Sequence, residues 1–473
     1  MTVPEAERLR LAVALDGAGW HPAAWREPEA RPAELLTAAY WADLVTEAER
    51  GGLDFVTFED ALSLQSDDRF RPDERTDRVR GRLDAVLVAA RVAPLTSSIG
   101  LIPTVVVTHT EPFHISKAIA TLDWISSGRA GVRVRVSARQ DEAAHFGRRP
   151  VPDRPASAAG QGDTTSPAGQ DDATSSAGQG DPRDAQRVSE LFAEAADYVE
   201  VIRRLWDSWE DDAEIRDVAT GRFVERDKLH YIDFEGRWFS VRGPSMTPRP
   251  PQGQPVVAAL AHSAVPYQFL ATSADVGFVT PADAASAAAI VTEVRAAATR
   301  ATETRAADTA AAGTERGRNT PHLAGQPVRL FADLVVFLDD EPGRAAQRRQ
   351  RLDAMAGSEY RSDAHIFTGT PAELADLIVD WHSAGLTGLR LRPAALPRDL
   401  TQITRAVVPE LRRRGAFPSE YESSSLRGLL GLPRPANRYR SAPMPEDTVP
   451  EDTVPESAVP GGQRPGKGAG VRA

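Results

Sequence analysis

Eight short apolar runs alternate along this chain with helical patterns, and few folds accommodate such an order. The runs are Leu9–Asp16, Phe55–Asp60, Ile99–Val107, Gly131–Ser137, Pro255–His262, Val276–Thr280, Leu330–Leu338 and Gly388–Arg392. Several of them are continuously apolar rather than alternating, which is typical of strands that are buried on both faces. The pattern therefore predicts an α/β protein whose eight strands form a (β/α)8 TIM barrel.

The helical patterns lie between these runs and after the last of them. They are Ala33–Arg50, Arg80–Val92, Pro112–Ser127, Gln186–Trp209, Ala264–Ser273, Ala282–Ala312, Gly343–Ser358, Pro371–Ala384 and Arg398–Arg414. A doubly wound sheet would show the same alternation and remains an alternative. No run is followed by Gly-x-Gly-x-x-Gly, so a Rossmann dinucleotide site has no support.

Three segments depart from the alternation. Residues 151–184 are rich in Ala, Gly, Gln, Ser and Asp, and the C-terminal residues 441–473 repeat Pro-Glu-Asp-Thr-Val. Neither can bury enough apolar surface to offset the entropy of ordering, so we predict a disordered insertion and a disordered tail on one domain, 1–440. Residues 210–254 contain a hairpin with its turn at Glu235-Gly236 and a Pro-rich stretch. We predict that they form a lid on a βα loop at the C-terminal face of the barrel.

Charge and composition exclude several classes of partner. The chain carries 56 Lys and Arg against 67 Asp and Glu, a net charge of −11, which argues against nucleic acid and against an anionic membrane surface. Cysteine is absent, which excludes disulfides and thiol nucleophiles. No apolar stretch approaches the roughly 20 residues of a membrane span. We therefore expect a cytoplasmic protein with no membrane span.

Polar residues close several of the predicted strands. Asp60, Thr104, Ser137 and Ser263 lie in or just after the second, third, fourth and fifth runs. The carboxyl ends of barrel strands meet at one face, so these four side chains can line a single pocket. Each could equally be a helix N-cap. Ser263 directly precedes a helix, where backbone N–H groups and the helix dipole favour a phosphate.

Two further residues are candidates for the pocket. His109 follows the third run and can donate a hydrogen bond to a ligand. Arg133 alternates with apolar residues in the fourth run, so it and Arg135 share one face, which lies either in the barrel mouth or against the helices. The spacing of the histidines does not suit a metal, and we expect none. Gly-x-Ser-x-Gly, phosphate-loop and His-Glu-x-x-His motifs are absent, so hydrolase, NTPase and zincin functions have no support.

A set of sequence blocks resembles the bacterial luciferase-like flavin-dependent monooxygenases, in the branch of the nitrilotriacetate and dibenzothiophene-sulfone monooxygenases. The blocks are Ala48–Phe55, Thr108–His114, Ala120–Trp124, Ser127–Gly131, Leu205–Asp212, Phe239–Pro244, Pro248–Pro255, Phe367–Glu373, Val408–Leu411 and Leu432–Asn437. They follow the family order. The resemblance implies a TIM barrel that uses reduced FMN and oxygen on a small organic substrate, with a separate flavin reductase as partner and a homo-oligomeric assembly. Asp60 then matches an acidic residue near the flavin, Thr104 a threonine on the third strand, and Ser263 the phosphate-binding serine.

The chain also departs from that family pattern. Val132-Arg133 replaces Trp-Asn on the fourth strand, and Val188 with Leu191-Phe192 replaces a His…Arg-Tyr element. Ala261 and Pro266 replace glycines beside the serine. Two alternatives therefore stay open. One is a hydride-transfer enzyme that uses a deazaflavin coenzyme, whose anionic tail would meet Arg133 or Arg135. The other is a barrel that has lost flavin and binds a ligand or partner without catalysis.

Overall fold

The computed structural model describes residues 8–66, 72–148, 182–312 and 326–440. Within these ranges eight parallel strands close into a barrel, which confirms the predicted TIM barrel and excludes the doubly wound sheet. The predicted disordered insertion, apart from its last three residues, and the predicted disordered tail lie outside the described residues.

All eight predicted strands are present in the barrel. We number them β1 to β8: Arg10–Leu15, Phe55–Phe58, Gly100–Val106, Gly131–Arg135, Val256–Ala261, Val276–Val279, Arg329–Leu338 and Gly388–Pro393. The barrel closes where β1 pairs in parallel with β8, Arg10 opposite Gly388. A further strand, His365–Gly369, was not predicted, and it pairs with the second half of β7. The first half of β7 pairs with β6 along the same edge.

Helices surround the strands in the order that the patterns predict. Helices α1 to α12 span Ala38–Gly51, Ala85–Val92, Pro112–Ile125, Gln140–Phe146, Pro182–Asp207, Ala264–Ser273, Ala284–Ala312, Arg344–Ala356, Pro371–Ser383, Arg398–Gln402, Val408–Arg413 and Leu426–Leu429. A π-helical turn, Ile403–Val407, joins α10 to α11. Of the helices in the described ranges, none is long and apolar enough to cross a membrane.

The amino-terminal half of the barrel interior is an apolar core. Phe55, Phe278 and Phe331 face one another there, with the rings of Phe55 and Phe331 5.2 Å apart. Helix α12 closes this end, because Leu426 packs where a side chain on Gly100 would otherwise lie. The interior ion pairs described below lie in the other half, toward the carboxyl ends of the strands.

The predicted position of the lid segment was wrong. The predicted hairpin exists, since Phe234–Glu235 pairs with Ser240–Val241, but it belongs to a connection that follows α5 and precedes β5. Helix α5 returns the chain to the amino-terminal end, so residues 210–254 start and finish there. Gln252 bonds the Asp123 carboxylate at the end of α3, and the hairpin packs on the outside of the barrel, with Phe239 against Tyr198 of α5. This segment packs against the helical layer and is not a βα loop.

Candidate active site

The predicted site residues lie toward one end of the barrel. Asp60, Ser137 and Ser263 follow β2, β4 and β5 by two residues, and His109 follows β3 by three. Thr104 lies within β3, opposite Arg133 on β4. Since all the strands are parallel, these positions share the carboxyl-terminal half of the barrel.

Arg133 lies inside the barrel and pairs there with protein groups. Its Nη1 lies 2.5 Å from a Glu59 carboxylate oxygen and 3.3 Å from the Thr104 hydroxyl. The Nη1 of Arg135 donates to the Asp60 carbonyl at 2.8 Å. Both arginines therefore face the interior and not the helices. The deazaflavin alternative depended on Arg133 or Arg135 meeting the anionic tail of that coenzyme. Because both arginines bind protein groups, the structure gives no observation in favour of that coenzyme.

Glu59 connects Arg133 to a larger buried network that sequence reasoning missed. Arg390 of β8 approaches the second Glu59 oxygen at 3.3 Å and also binds Asp333 of β7, at 2.7 Å from its Nε. Arg392 binds both Asp333 and Asp363, the latter at 2.6 Å. The set therefore joins strands from opposite parts of the chain. The only signal in the sequence was the presence of Asp333, Arg390 and Arg392 within otherwise apolar strands.

The network is electrically balanced. Three arginines face three carboxylates, and every one of these side chains pairs with at least one opposite charge. Burial by itself would raise the pKa of Glu59, but Arg133 and Arg390 outweigh it and lower that pKa to about 2. The Asp363 pKa is lowered as well, because Arg392 overcomes the effect of burial. Glu59 and Asp363 therefore stay ionised and do not supply protons.

The Asp60 carboxylate acts as a helix cap. One oxygen accepts the Ala61 N–H at 2.8 Å and the other accepts the Ala85 N–H of the first turn of α2 at 2.9 Å. Burial raises its pKa to about 6 even though both N–H groups favour the charged form. Asp60 thus joins β2 to α2, and its role beside a cofactor remains a prediction.

Ser263 differs from an ordinary N-cap serine. It precedes α6 with extended backbone angles, yet its hydroxyl caps nothing. A capping serine normally accepts a backbone N–H from the third helical residue, and here that residue is Pro266, which has none. The hydroxyl oxygen is buried without a hydrogen-bond partner among the residues that the structure describes. A buried, unused hydroxyl at a helix N-terminus fits a phosphate oxygen.

His262, the residue before Ser263, links this turn to the central network. Its Nδ1 lies 2.7 Å from the Thr280 hydroxyl, and its Nε2 lies 3.6 Å from Asp363. Asp363 is in turn held by Arg392. The turn between β5 and α6 is therefore positioned by the same ion pairs that bind β7 to β8, a connection that sequence reasoning did not find.

Ser137 and His109 form a separate group at the ends of β3 and β4. The Ser137 N–H donates to the Thr108 hydroxyl at 2.9 Å, and the His109 ring stacks on Phe146 at 5.4 Å. Both Ser137 and His109 are buried. The structure thus brings Thr104 and Arg133 into one cluster with Glu59. It places Asp60, His109, Ser137 and Ser263 at the ends of four consecutive strands.

The positions that depart from the family pattern are filled by packing. Phe192 of α5 lies against Phe269 of α6 with their rings 5.5 Å apart, and Val188 is buried in the same core. Ala261 is fully buried at the end of β5. An apolar contact between two helices therefore occupies the place where the family pattern has ring donors.

Two cavities lie beside the ends of β1 and β2. The first, of about 200 Å³, reaches from Glu59 to the apolar side chains of α1 and α2. The second, of about 70 Å³, follows the loop after β1. They share Asp16, Gly17, Val79 and Arg82 as lining residues. Over the described ranges, no group of three or more His, Asp or Glu side chains is placed to hold a metal ion.

Comparison with known proteins identifies the family. The chain matches the family described as luciferase-like monooxygenase over residues 19–159 and 173–388. It belongs to this family. The resemblance inferred from the sequence blocks is thereby confirmed, and the chain is a flavin-dependent monooxygenase.

Individual relatives support this assignment. The N-acetyl-S-(2-succino)cysteine monooxygenase of Bacillus subtilis (strain 168) is 31% identical over 92% of this chain and 98% of its own length. Component A of the nitrilotriacetate monooxygenase of Aminobacter aminovorans is 28% identical over 91% and 98%. A solved riboflavin lyase, with modified FMN and riboflavin, has a TM-score of 0.69 over 90% of this chain and 96% of its own, at 23% identity, and shares the fold.

Proposed function

We propose that this luciferase-like monooxygenase binds reduced FMN at the carboxyl-terminal end of the barrel and uses it with oxygen to oxidise a small organic substrate. The observation that carries the proposal is Ser263, whose buried hydroxyl has no partner among the described groups. It precedes a ten-residue helix whose first N–H groups point toward the same turn. The flavin, when bound, supplies the oxygen-activating chemistry.

The protein residues bind and shelter the cofactor. Ser263 and the N–H groups of Ala264 and Val265 would hold the phosphate, with the dipole of α6 favouring its negative charge. Thr104, Asp60 and Ser137 would lie along the rest of the cofactor. His109 would donate to a ligand from the end of β3. The buried walls exclude water, which protects reactive intermediates in such a site.

A separate reductase would supply the reduced flavin. The Aminobacter aminovorans relative is named component A of its enzyme, which supports a two-component system in this branch. The net charge of the chain is −11, which would complement a reductase with a basic docking face. The homo-oligomer expected from the resemblance stays a prediction.

Titration with FMN, followed by calorimetry, tests the phosphate site. Ser263→Asp places a carboxylate against the phosphate, and we expect it to abolish FMN binding. Ser263→Ala removes one hydrogen bond to a charged group, and we expect about 10- to 100-fold weaker binding. The matched control is Ser424→Asp, which leaves binding unchanged. Ser424 is exposed and lies next to α12, at the opposite end of the barrel. Equal affinity in wild type and Ser263→Asp would place the phosphate elsewhere.

A further inference from the structure

We propose that the two cavities beside β1 and β2 form the substrate site, and that Arg82 binds a carboxylate of an organic acid substrate there. The inference rests on the proposed function, since it names the substrate class for that reaction. The evidence for this substrate class is the set of charged and apolar side chains that line the two cavities.

One nitrogen of the Arg82 guanidinium, in the cavity wall, has no acceptor among the described residues. Its Nε and Nη2 make a bidentate pair with Asp16, at 3.0 and 2.7 Å. Its side chain is only 7% exposed, and the remaining Nη1 meets no acceptor in the part of the chain that the structure describes. A buried guanidinium nitrogen without an acceptor costs free energy unless a ligand supplies one. Carboxylates match the fork of an arginine best.

The loop that carries Arg82 supplies further positive charge. Arg78, Arg80 and Arg82 all line the cavities. Arg80 forms an ion pair with Asp73, and burial together with the nearby Arg80 lowers the pKa of Arg78. These three arginines outnumber Asp16 and Glu59, the two carboxylates that line the cavities, so the wall favours an anion although the whole chain is acidic.

The first cavity gives the ligand an apolar compartment as well. Leu35, Trp41, Leu83 and Val88 line it, together with the outward face of Phe58. Its volume of about 200 Å³ is at the small end for a ligand pocket and suits a small molecule. A molecule that suits both the arginine and this compartment carries a carboxylate on an organic body. A bare inorganic anion would leave the apolar walls unfilled.

The position of the cavities separates them from the phosphate site. Asp16 and Arg82 lie at the end of β1, whereas Ser263 follows β5. In an eight-stranded barrel β1 and β5 lie on opposite sides of the axis. Glu59 lines the first cavity and also belongs to the central network, so the cavity reaches the barrel mouth. Two of the relatives are named for carboxylated compounds, which agrees with this substrate class, although others are named for dimethyl sulfide and for long-chain alkanes.

Calorimetry tests the assignment with three carboxylate probes: N-acetyl-S-(2-succino)cysteine, nitrilotriacetate and succinate. Wild type is titrated both without flavin and with oxidised FMN, and the trimethyl ester of the first probe is the neutral comparison. We expect at least one acid to bind and the ester to fail. Arg82→Gln then weakens binding of that acid about 10- to 100-fold. Arg82→Lys, which keeps the charge and the Asp16 pair, gives a smaller loss and covers the case in which the glutamine variant does not fold.

Asp16→Asn is the matched control for a merely structural role. It removes the competing carboxylate, so we expect binding of the acid to be unchanged or tighter although the same ion pair is lost. Equal weakening by Asp16→Asn and Arg82→Gln, or binding of none of the three acids, would overturn the proposal. FMN affinity is measured in parallel. A loss of FMN binding in Arg82→Gln would assign Arg82 to the flavin and overturn the substrate role. If wild type fails to bind FMN, only the proposed flavin site is contradicted. The titration without flavin still tests the carboxylate site, because it does not depend on FMN.

Discussion

Two sets of arginines in this barrel are used in opposite ways. Arg133, Arg390 and Arg392 lie in the centre, and each is bound by at least one buried carboxylate from another segment of the chain. Arg82, at the side of the mouth, lines both cavities and has one carboxylate partner and one nitrogen with no acceptor among the described residues. The central set lines neither cavity, whereas Arg82 lines both.

The difference separates structural charge from charge that can bind a ligand. A buried ion pair contributes little net stability, but it costs much when one partner is removed. The centre therefore resists substitution. Glu59 touches both regions, since it binds Arg133 and Arg390 and also lines the first cavity. Substitutions in either region test whether the two sets of arginines differ in this way.

The largest effect is expected at the centre. Asp333→Asn removes the charge that binds both Arg390 and Arg392 and leaves two guanidinium groups buried with less compensation. We expect a loss of about 3–5 kcal/mol in the free energy of unfolding, measured by urea titration. Asp376→Asn, which removes an exposed partner of Arg414, is the control and changes it by less than about 1 kcal/mol. A similar small change at Asp333 would show that the network is not structural.

The second effect concerns pH. The Glu59 pKa is about 2 in the folded chain and about 4.5 in the unfolded chain, so its ionised form stabilises the fold above pH 4.5 and this contribution is lost as pH falls from 4.5 toward 2. We expect Glu59→Gln to be less stable than wild type by about 3 kcal/mol near pH 7. The gap closes through that acidic window. Thermal midpoints measured across pH test this, and a gap independent of pH would contradict it.

The smallest effect is expected at the cavity. Asp16→Asn combined with Arg82→Gln removes both members of one ion pair and leaves no buried charge unpaired at that position. Removing both partners of a pair costs far less than removing one. We expect the double variant to lie within about 1–2 kcal/mol of wild type in urea titration. A loss as large as that of Asp333→Asn would make Arg82 a structural residue like those of the centre.

Much of the architecture was predictable from local pattern. Each barrel strand is a short apolar run, and each following helix shows its own periodicity, so all eight strands and their order could be found. His365–Gly369 escaped prediction because its half-buried residues follow no clear alternation. The lid segment was misplaced because an aromatic hairpin resembles an active-site loop, and the preceding helix α5, which returns the chain to the other end, was not taken into account.

The candidate site was only partly predictable. Ser263 could be selected because a serine before a helix is visible in the sequence, but the reason that its hydroxyl is unused depends on Pro266 at the third helical position. Asp60 could be selected too, yet its carboxylate caps α2, 25 residues further along the chain. Arg82 carried no signal of its own in an arginine-rich loop.

The sequence by itself determined which segments become strands and helices, and that all strand ends meet at one face, because periodicity and parallel order are properties of consecutive residues. The sequence blocks determined the family as well. Only the tertiary structure decided which charges are cancelled and which remain available. Arg390 meets Glu59 across 331 residues of chain, and Arg82 meets Asp16 across 66. Pairing between such distant residues is set by strand register and barrel closure, which no local pattern encodes.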